Sequence, residues 1–189
     1  MNYRNSIDLA DIYNLLSLAS KYPEKEWLTQ GFMTNLLAIL REAELEQEAD
    51  NLAALTDLAP DDLENLQIEY TRLFINAVPG TIAPPFGSIY LHNDRSLYGP
   101  STVKVKDFYR QHGFEIKNPA AIPDELSLEL EFLGLLVSQG MEEEEEEFLA
   151  LYFRPWFKKF SDVVINETTQ PFYRAVIRLI DFFTTKEEI

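Results

Sequence analysis

Pro123-Asp124-Glu125-Leu126-Ser127-Leu128-Glu129-Leu130-Glu131-Phe132-Leu133-Gly134-Leu135-Leu136-Val137-Ser138-Gln139-Gly140 is the most informative run in the 189-residue chain. Leu126, Leu130, Leu133 and Val137 recur at helical spacing and make one apolar stripe. Leu128, Phe132, Leu135 and Leu136 add a second. A helix that is dry on more than one side belongs in the middle of a bundle. Pro123 suits its entry and Gly140 its end.

Working toward the N-terminus, Val105, Phe108, Tyr109 and His112 spell a short helix that Gly113 terminates. Before it lies the longest aperiodic stretch, residues 76–100, with Pro79, Pro84, Pro85, Pro100, Gly80, Gly87 and Gly99. Loops of this length inside compact domains are uncommon and are often functional. Pro60-Asp61-Asp62 opens a helix carrying Leu63, Leu66, Tyr70, Leu73 and Phe74, because proline fits a first turn and carboxylates complement its dipole. Phe32, Leu36, Ile39 and Ala43 mark another helix, with Glu42, Glu44, Glu46 and Glu48 on its wet side. Ile12, Leu15, Leu16 and Ala19 mark the first, with Asn5 or Ser6 as its N-cap.

Toward the C-terminus, Glu142 to Glu147 leads into Phe148, Leu151 and Tyr152. The glutamates read mainly as a solvated helix start, which Pro155 should separate from a following helix. Pro171 opens the last helix, faced by Phe172, Ala175, Val176, Leu179 and Phe183. No alternating strand pattern occurs. The expectation is an all-α, single-domain helical bundle over residues 1–189, with roughly seven to nine helices and a Pro/Gly-rich loop at 76–100.

Composition narrows the function. Lys plus Arg is 16 against 32 for Asp plus Glu, a net charge of −16, so the surface repels nucleic acid and attracts cationic partners. There is no Cys, which removes disulfides, thiolate metal sites and Cys nucleophiles. The first residues, Met1 to Asp8, lack a secretory pattern, and no apolar run reaches the ~18–20 residues of a membrane span. A soluble, cytoplasmic protein is expected. Only His92 and His112 are present, and neither sits in a di-iron or His-Glu-x-x-His pattern. Phosphate loops and the Gly-x-Ser-x-Gly elbow are absent. The carboxylates Asp124, Glu125, Glu129 and Glu131 lie close in sequence, but carboxylates alone do not define acid–base chemistry.

Three ordered patterns remain. They are Glu69-Tyr70-x-x-Leu73-Phe74; Pro79-Gly80 with Pro84-Pro85-Phe86-Gly87-Ser88 and Tyr90, then Gly99-x-Ser101-Thr102 and Val105-x-x-Phe108-Tyr109; and Pro123-Asp124 with Leu128-Glu129-Leu130-Glu131-Phe132. Trp156 and Pro171-Phe172-Tyr173 extend the series. In these residues the chain resembles the TorD/DmsD (NarJ-like) family of cytoplasmic molybdoenzyme chaperones, or redox enzyme maturation proteins. It departs from the family at Glu125, where the family often has His.

The resemblance implies an all-α chaperone, not an enzyme, without a cofactor of its own. Its partners would be the twin-arginine signal peptide and the apo form of a molybdoenzyme catalytic subunit, held back from export until cofactor insertion. It would be a monomer or a helix-exchanged dimer. A twin-arginine leader needs an acidic rim for its guanidinium groups and an apolar groove for the segment behind them. Tyr70, Leu73, Phe74, Pro84, Pro85, Phe86 and Tyr90 are the candidates for the groove. Asp124, Glu125 and Glu129 are the candidates for reading arginine. Each has a plainer reading: Leu73 and Phe74 as core, the prolines as loop stiffeners, Asp124 as a first-turn carboxylate. Two other functions compete. One is a small metal- or nucleotide-binding enzyme using Asp124, Glu125 and Glu129 around a hard cation. The other is a helical adaptor for a different basic peptide.

Overall fold

A computed structural model describes residues 8–55, 59–76, 80–92 and 95–185, and among these the chain is helical with no β-strand. In order, the elements are α1 (Leu9–Ala19), α2 (Gln30–Glu42), α3 (Glu46–Ala53), α4 (Pro60–Tyr70) prolonged by a π-helical turn Thr71–Ile75, α5 (Gly87–Leu91), α6 (Pro100–Gln111), α7 (Leu126–Ser138), α8 (Glu142–Phe148), a second π-helical turn Leu149–Phe153, α9 (Arg154–Glu167) and α10 (Pro171–Thr184). With α8, its π turn and α9 taken as one continuous rod, the described residues hold nine helices, within the expected number. They form two compact units: Met1–Ser20 with Pro85–Phe160, and Lys21–Pro84 with Ser161–Ile189.

The first unit is organised around α7. Leu126, Leu130, Phe132, Leu133 and Leu136 are buried and Leu128 and Leu135 half-buried, as a helix dry on most sides requires. Helix α1 packs along it. Gly134 permits that approach, because a Cβ there would stand 3.0 Å from Asn14 Oδ1 and 3.3 Å from the Ala10 carbonyl oxygen. Ser17 Oγ donates to the Ser127 carbonyl at 2.7 Å, and Tyr13 OH donates to Glu145 at 2.8 Å. Phe132 packs against Tyr109 and Phe148 at ring-centroid distances of 4.6 and 5.0 Å. The cap of α1 is Asp8, which accepts from the Ala10 amide at 3.3 Å; the expected caps Asn5 and Ser6 lie outside the described residues. Gly113 (φ 75°) and Gly140 (φ 70°) end α6 and α7 as the sequence predicts, with Phe114 N donating to Tyr109 O and Met141 N to Leu136 O.

Pro155 does not split the helix. The chain runs through it, and the turn ahead of it widens so that the Arg154 amide donates to Leu149 O, five residues back. A wider turn relieves the clash that a proline ring makes with the carbonyl four residues before it. The glutamate run is also less solvated than expected. Glu145 takes the Tyr13 hydroxyl, and Glu146 holds Arg154 by two bonds of 2.8 and 2.9 Å.

In the second unit α3 packs on α2 and α10. Phe32, Met33, Leu36, Ile39, Leu40, Ala49 and Leu52 are buried with the apolar face of α10, which includes Phe172, Val176, Leu179 and Ile180. The sequence suggests one acidic face through Glu48, but α2 stops at Glu42. Glu44 adopts φ 58°, and Leu45 N closes onto Leu40 O at 2.9 Å. Asp62 accepts from the Ala59 amide at 2.8 Å and secures the start of α4.

Candidate functional site

The loop that enters α5 and the segment that enters α7 are tied by a short antiparallel bridge in the first unit. Phe86 pairs with Glu125, Gly87 N donates to Asp124 O at 2.8 Å, and Leu126 N donates to Pro85 O at 2.9 Å. The prolines leave this segment extended and free to pair. The bridge places Asp124 under the first turn of α5. Its Oδ2 accepts the Ser88 amide at 2.6 Å and the Thr102 hydroxyl at 3.1 Å, so this one buried carboxylate secures the starts of α5 and α6. Tyr109 OH donates to the Pro123 carbonyl at 2.9 Å and fixes the segment from below.

Glu129 lies one turn into α7, fully buried. Its Oε2 accepts from Trp156 Nε1 at 3.0 Å. The Trp156 ring in turn covers Gly87, where a Cβ would stand only 3.0 Å from ring atoms Cδ1 and Nε1. Tyr90 stacks on the same indole at 5.9 Å, meets Phe160 edge-on at 6.0 Å, and its carbonyl accepts from Lys159 at 3.1 Å.

These elements enclose a cavity of about 340 Å³. Asp124 and Glu129 form its acidic part. Leu91, Val105, Leu151, Tyr152 and Trp156 form an apolar and aromatic part, and Leu151 is 58% exposed on this side. Ser101, His92 and Lys104 complete the lining, and His92 Nε2 lies 3.0 Å from Ser101 Oγ. Asp124 Oδ1 and Glu129 Oε1 are both buried and have no hydrogen-bond partner among the described residues; the same holds for Ser88 Oγ and Tyr90 OH. Burial, followed by the charge of Asp124, pushes the Glu129 carboxyl well above the usual range, while the Trp156 bond pulls the other way. Burial raises the Tyr90 phenol, with Arg95 opposing.

Of the ten residues singled out from the sequence, six fall in this unit. Pro85, Phe86 and Glu125 build the bridge, Tyr90 buttresses Trp156, and Asp124 and Glu129 line the cavity. Glu125 is half-buried and accepts from Ser127 Oγ at 3.3 Å. It is not part of the lining, and among the described residues no group of three His, Cys, Asp or Glu side chains is placed to hold a metal ion.

The other four belong to the second unit. Leu73 is fully buried there, and its carbonyl accepts from Ala83 N at 2.8 Å. Tyr70 and Phe74 stack edge-on at 4.9 Å, and Tyr70 also meets Tyr22 at 5.4 Å. Phe74 packs on Tyr173 at 5.6 Å, whose hydroxyl donates to Leu66 O at 2.6 Å. Pro84 is half-buried. The neighbouring Glu69 accepts from Arg72 at 2.8 and 3.1 Å, from the Thr169 amide at 2.8 Å, and from the Thr168 and Thr169 hydroxyls. Burial raises its carboxyl, but these donors outweigh burial and hold it below the ordinary value.

Sequence reasoning missed Trp156, Thr102 and Ser101 as parts of the site. All three stand in the patterns that carry the family resemblance. A buried tryptophan at helical spacing and small hydroxyls after a proline nevertheless read first as core and cap.

Comparison with known proteins gives a consistent picture. The nitrate reductase delta subunit family matches residues 40–162. A Tat proofreading chaperone DmsD from Salmonella typhi is 33% identical over 119 residues, 61% of this chain and 57% of that protein. The match thus spans somewhat more than half the length of that relative. A chaperone protein TorD from Psychrobacter sp. (strain PRwf-1) is 26% identical over 186 residues, covering 92% of this chain and 80% of the relative. The crystal structure of a redox enzyme maturation protein from Archaeoglobus fulgidus superposes with a TM-score of 0.64 at 26% identity, over 95% of this chain and 98% of that one.

Proposed function

Because the chain belongs to the nitrate reductase delta subunit family, we propose that it is a chaperone of an immature molybdenum-cofactor oxidoreductase, and that its cavity receives the twin-arginine leader of that client. The observation that carries this reading is the pair of buried, unpartnered carboxylate oxygens, Asp124 Oδ1 and Glu129 Oε1, in one cavity. A buried acceptor left without a donor costs about 1–3 kcal/mol, more when charged. A guanidinium supplies several donors in a rigid fork and matches that need better than an ammonium. The walls formed by Leu91, Val105, Leu151 and Tyr152 suit the apolar segment that follows the arginines. The net charge of −16 accelerates encounter with a cationic leader and makes it salt-dependent.

Holding the leader in this way keeps the client from export until its cofactor is in place, which is work done in the cytoplasm. None of it needs a bond to be made or broken by the chaperone. The test is titration of the protein with a twin-arginine leader peptide and with its Lys-Lys counterpart. Tight binding of the first, weaker binding of the second and loss of affinity with salt are expected. Equal affinities that ignore salt would refute the reading. Asp124→Asn, which keeps the shape of the side chain, should weaken the Arg-Arg peptide more than the Lys-Lys peptide.

A further inference from the structure

Glu129 sits in an environment unlike that of an ordinary peptide-binding carboxylate. It has no exposed surface, one of its oxygens has a single neutral donor, and the other has none among the described residues. Asp124 lines the same cavity, Tyr109 and Lys104 come from α6, His92 from the end of α5, Tyr152 from the π turn, and Trp156 from α9. Burial, then the charges of Glu129, Asp124, Glu131 and Glu125, raise the Tyr109 phenol beside it. The one ammonium of the lining, on Lys104, belongs to an exposed residue. No cation is bonded to Glu129 among the described residues. Among the described residues, then, the protein has buried an acid beside a second acid with no cation bonded to it.

We infer that the Glu129 carboxyl carries a proton in the free protein and surrenders it when a guanidinium enters the cavity, so that leader capture is coupled to proton release. This rests on the proposed leader-binding function and adds a regulatory property to the same site. In the free state the proton satisfies an isolated, desolvated carboxyl, which is cheaper than leaving a bare charge there. On binding, the O–H bond of the carboxyl breaks, its electron pair stays on the oxygen, and the proton passes to the buffer. The carboxylate then accepts from the guanidinium that has replaced the proton as its partner. Burial and the Asp124 charge raise this carboxyl, in keeping with the geometry. Trp156 serves as a fixed donor to Oε2 in both states, which holds the side chain in place while Oε1 changes partner.

The consequence is that affinity depends on pH in a stated direction. Below the point at which free Glu129 ionises, each unit rise in pH strengthens leader binding by up to about tenfold, because one proton leaves per peptide bound. A chaperone built this way holds its client more firmly as the surrounding pH rises and lets go more readily as it falls.

The experiment is isothermal titration of the full chain with the twin-arginine leader peptide, in buffers of differing ionisation enthalpy and at several pH values. Wild-type protein should release a substantial fraction of one proton per peptide, with affinity rising with pH. Glu129→Gln should abolish the release and flatten the pH dependence, while His112→Gln, outside the cavity lining, should leave both intact. Glu129→Asp retains a titrating carboxyl and should keep the release. The wild-type count is independent of whether E129Q folds. Peptide binding with no proton exchanged at any pH would overturn this inference and leave the leader-binding reading standing. Release abolished by H92Q but not by E129Q would do the same. Failure of the wild-type protein to bind the leader at all would overturn both.

Discussion

Glu69 and Glu129 are both buried glutamates on helices, each within one of the patterns that carry the family resemblance, and the protein treats them in opposite ways. Glu69 receives two bonds from Arg72, one from the Thr169 amide and two from hydroxyls, and its carboxyl lies below the ordinary value. Glu129 receives one bond from an indole, and its carboxyl is raised. The difference shows where a structure has been finished and where it has been left open. A carboxylate with every lone pair engaged is a strap: Glu69 fastens the turn before α10 to the end of α4. A carboxylate facing a cavity with an unengaged oxygen is open to a donor, and on the leader-binding proposal it is the receptor.

The largest effect should come from cutting the strap. Glu69→Ala removes the acceptor for Arg72 and for the Thr168–Thr169 turn, leaving several donors without it. Hydrogen bonds to charged groups contribute about 1.5–3 kcal/mol, and Arg72 is over one-third exposed, so a loss of about 3 kcal/mol is expected in urea unfolding. Leader affinity per folded molecule should hardly change. A stable E69A protein, or one that folds but binds no peptide, would erase the contrast between strap and receptor.

The next largest effect probes the receptor without touching a carboxylate. Gly87→Ala would place a methyl 3.0 Å from the Trp156 ring, which is fully buried and has little room to retreat. Overpacking of this kind costs about 1–3 kcal/mol. The shift is passed to the Trp156–Glu129 bond, so a marked loss of leader affinity should accompany the drop in melting temperature. Wild-type affinity in G87A would show that the indole does not position Glu129.

How far this was legible in the sequence differs from element to element. Helix α7 was readable because it is apolar on more than one side, a property of the sequence itself. The break between α2 and α3 was not, since Glu44 adopts a left-handed φ that favours glycine and no glycine marks it. Asp124 was recognised, but with the wrong plain reading set against it. It caps not its own helix but the start of α5, through a bridge that pairs residues far apart in the chain. Trp156 was hidden for the converse reason: its helical spacing and its burial are those of core, and only its single hydrogen bond identifies its role. The split expected at Pro155 failed because the rule for proline assumes a regular α-helix, whereas a π turn changes which carbonyl the ring must avoid.

A subtler contrast between the two glutamates lies in pH. Glu69 is held below its unfolded value of about 4.3, so its stabilisation is present above that pH and is lost as pH falls through the folded value. Glu129 is raised, so its contribution is fully present below about pH 4.3 and is lost as pH rises through the folded value. Glu129→Gln, which mimics the protonated acid, should therefore gain stability relative to wild type as pH increases. Glu69→Gln should instead lose most at neutral pH and converge with wild type in acid. Paired melting curves of the two variants across pH would reveal the crossing. Parallel curves would mean that both carboxyls titrate alike and that burial without partners has no effect here.

The smallest expected effect concerns the π turn that brings Tyr152 to the cavity and leaves Leu151 exposed beside it. Pro155 is exposed, so Pro155→Ala removes a ring that buries little and restores an amide that can bond within the helix. Stability should change by less than about 1 kcal/mol, because Phe148 before the turn and Trp156 and Phe157 after it are buried and fix the helical phase of both flanks. Those fixed flanks also mean that the wide turn cannot be removed by the substitution alone: reverting it to regular helix would rotate Trp156 away from Glu129. Deleting Ala150 from the turn should do what P155A does not. With one residue fewer, the same flanks can stay in phase only if the π turn closes to a regular one, and Leu151 and Tyr152 must then leave the cavity mouth. Retained fold with weakened binding of the leader's apolar segment is the expected outcome, read by comparing full-length and truncated leaders. Unchanged discrimination between those peptides would show that the wide turn only accommodates proline and does not shape the site.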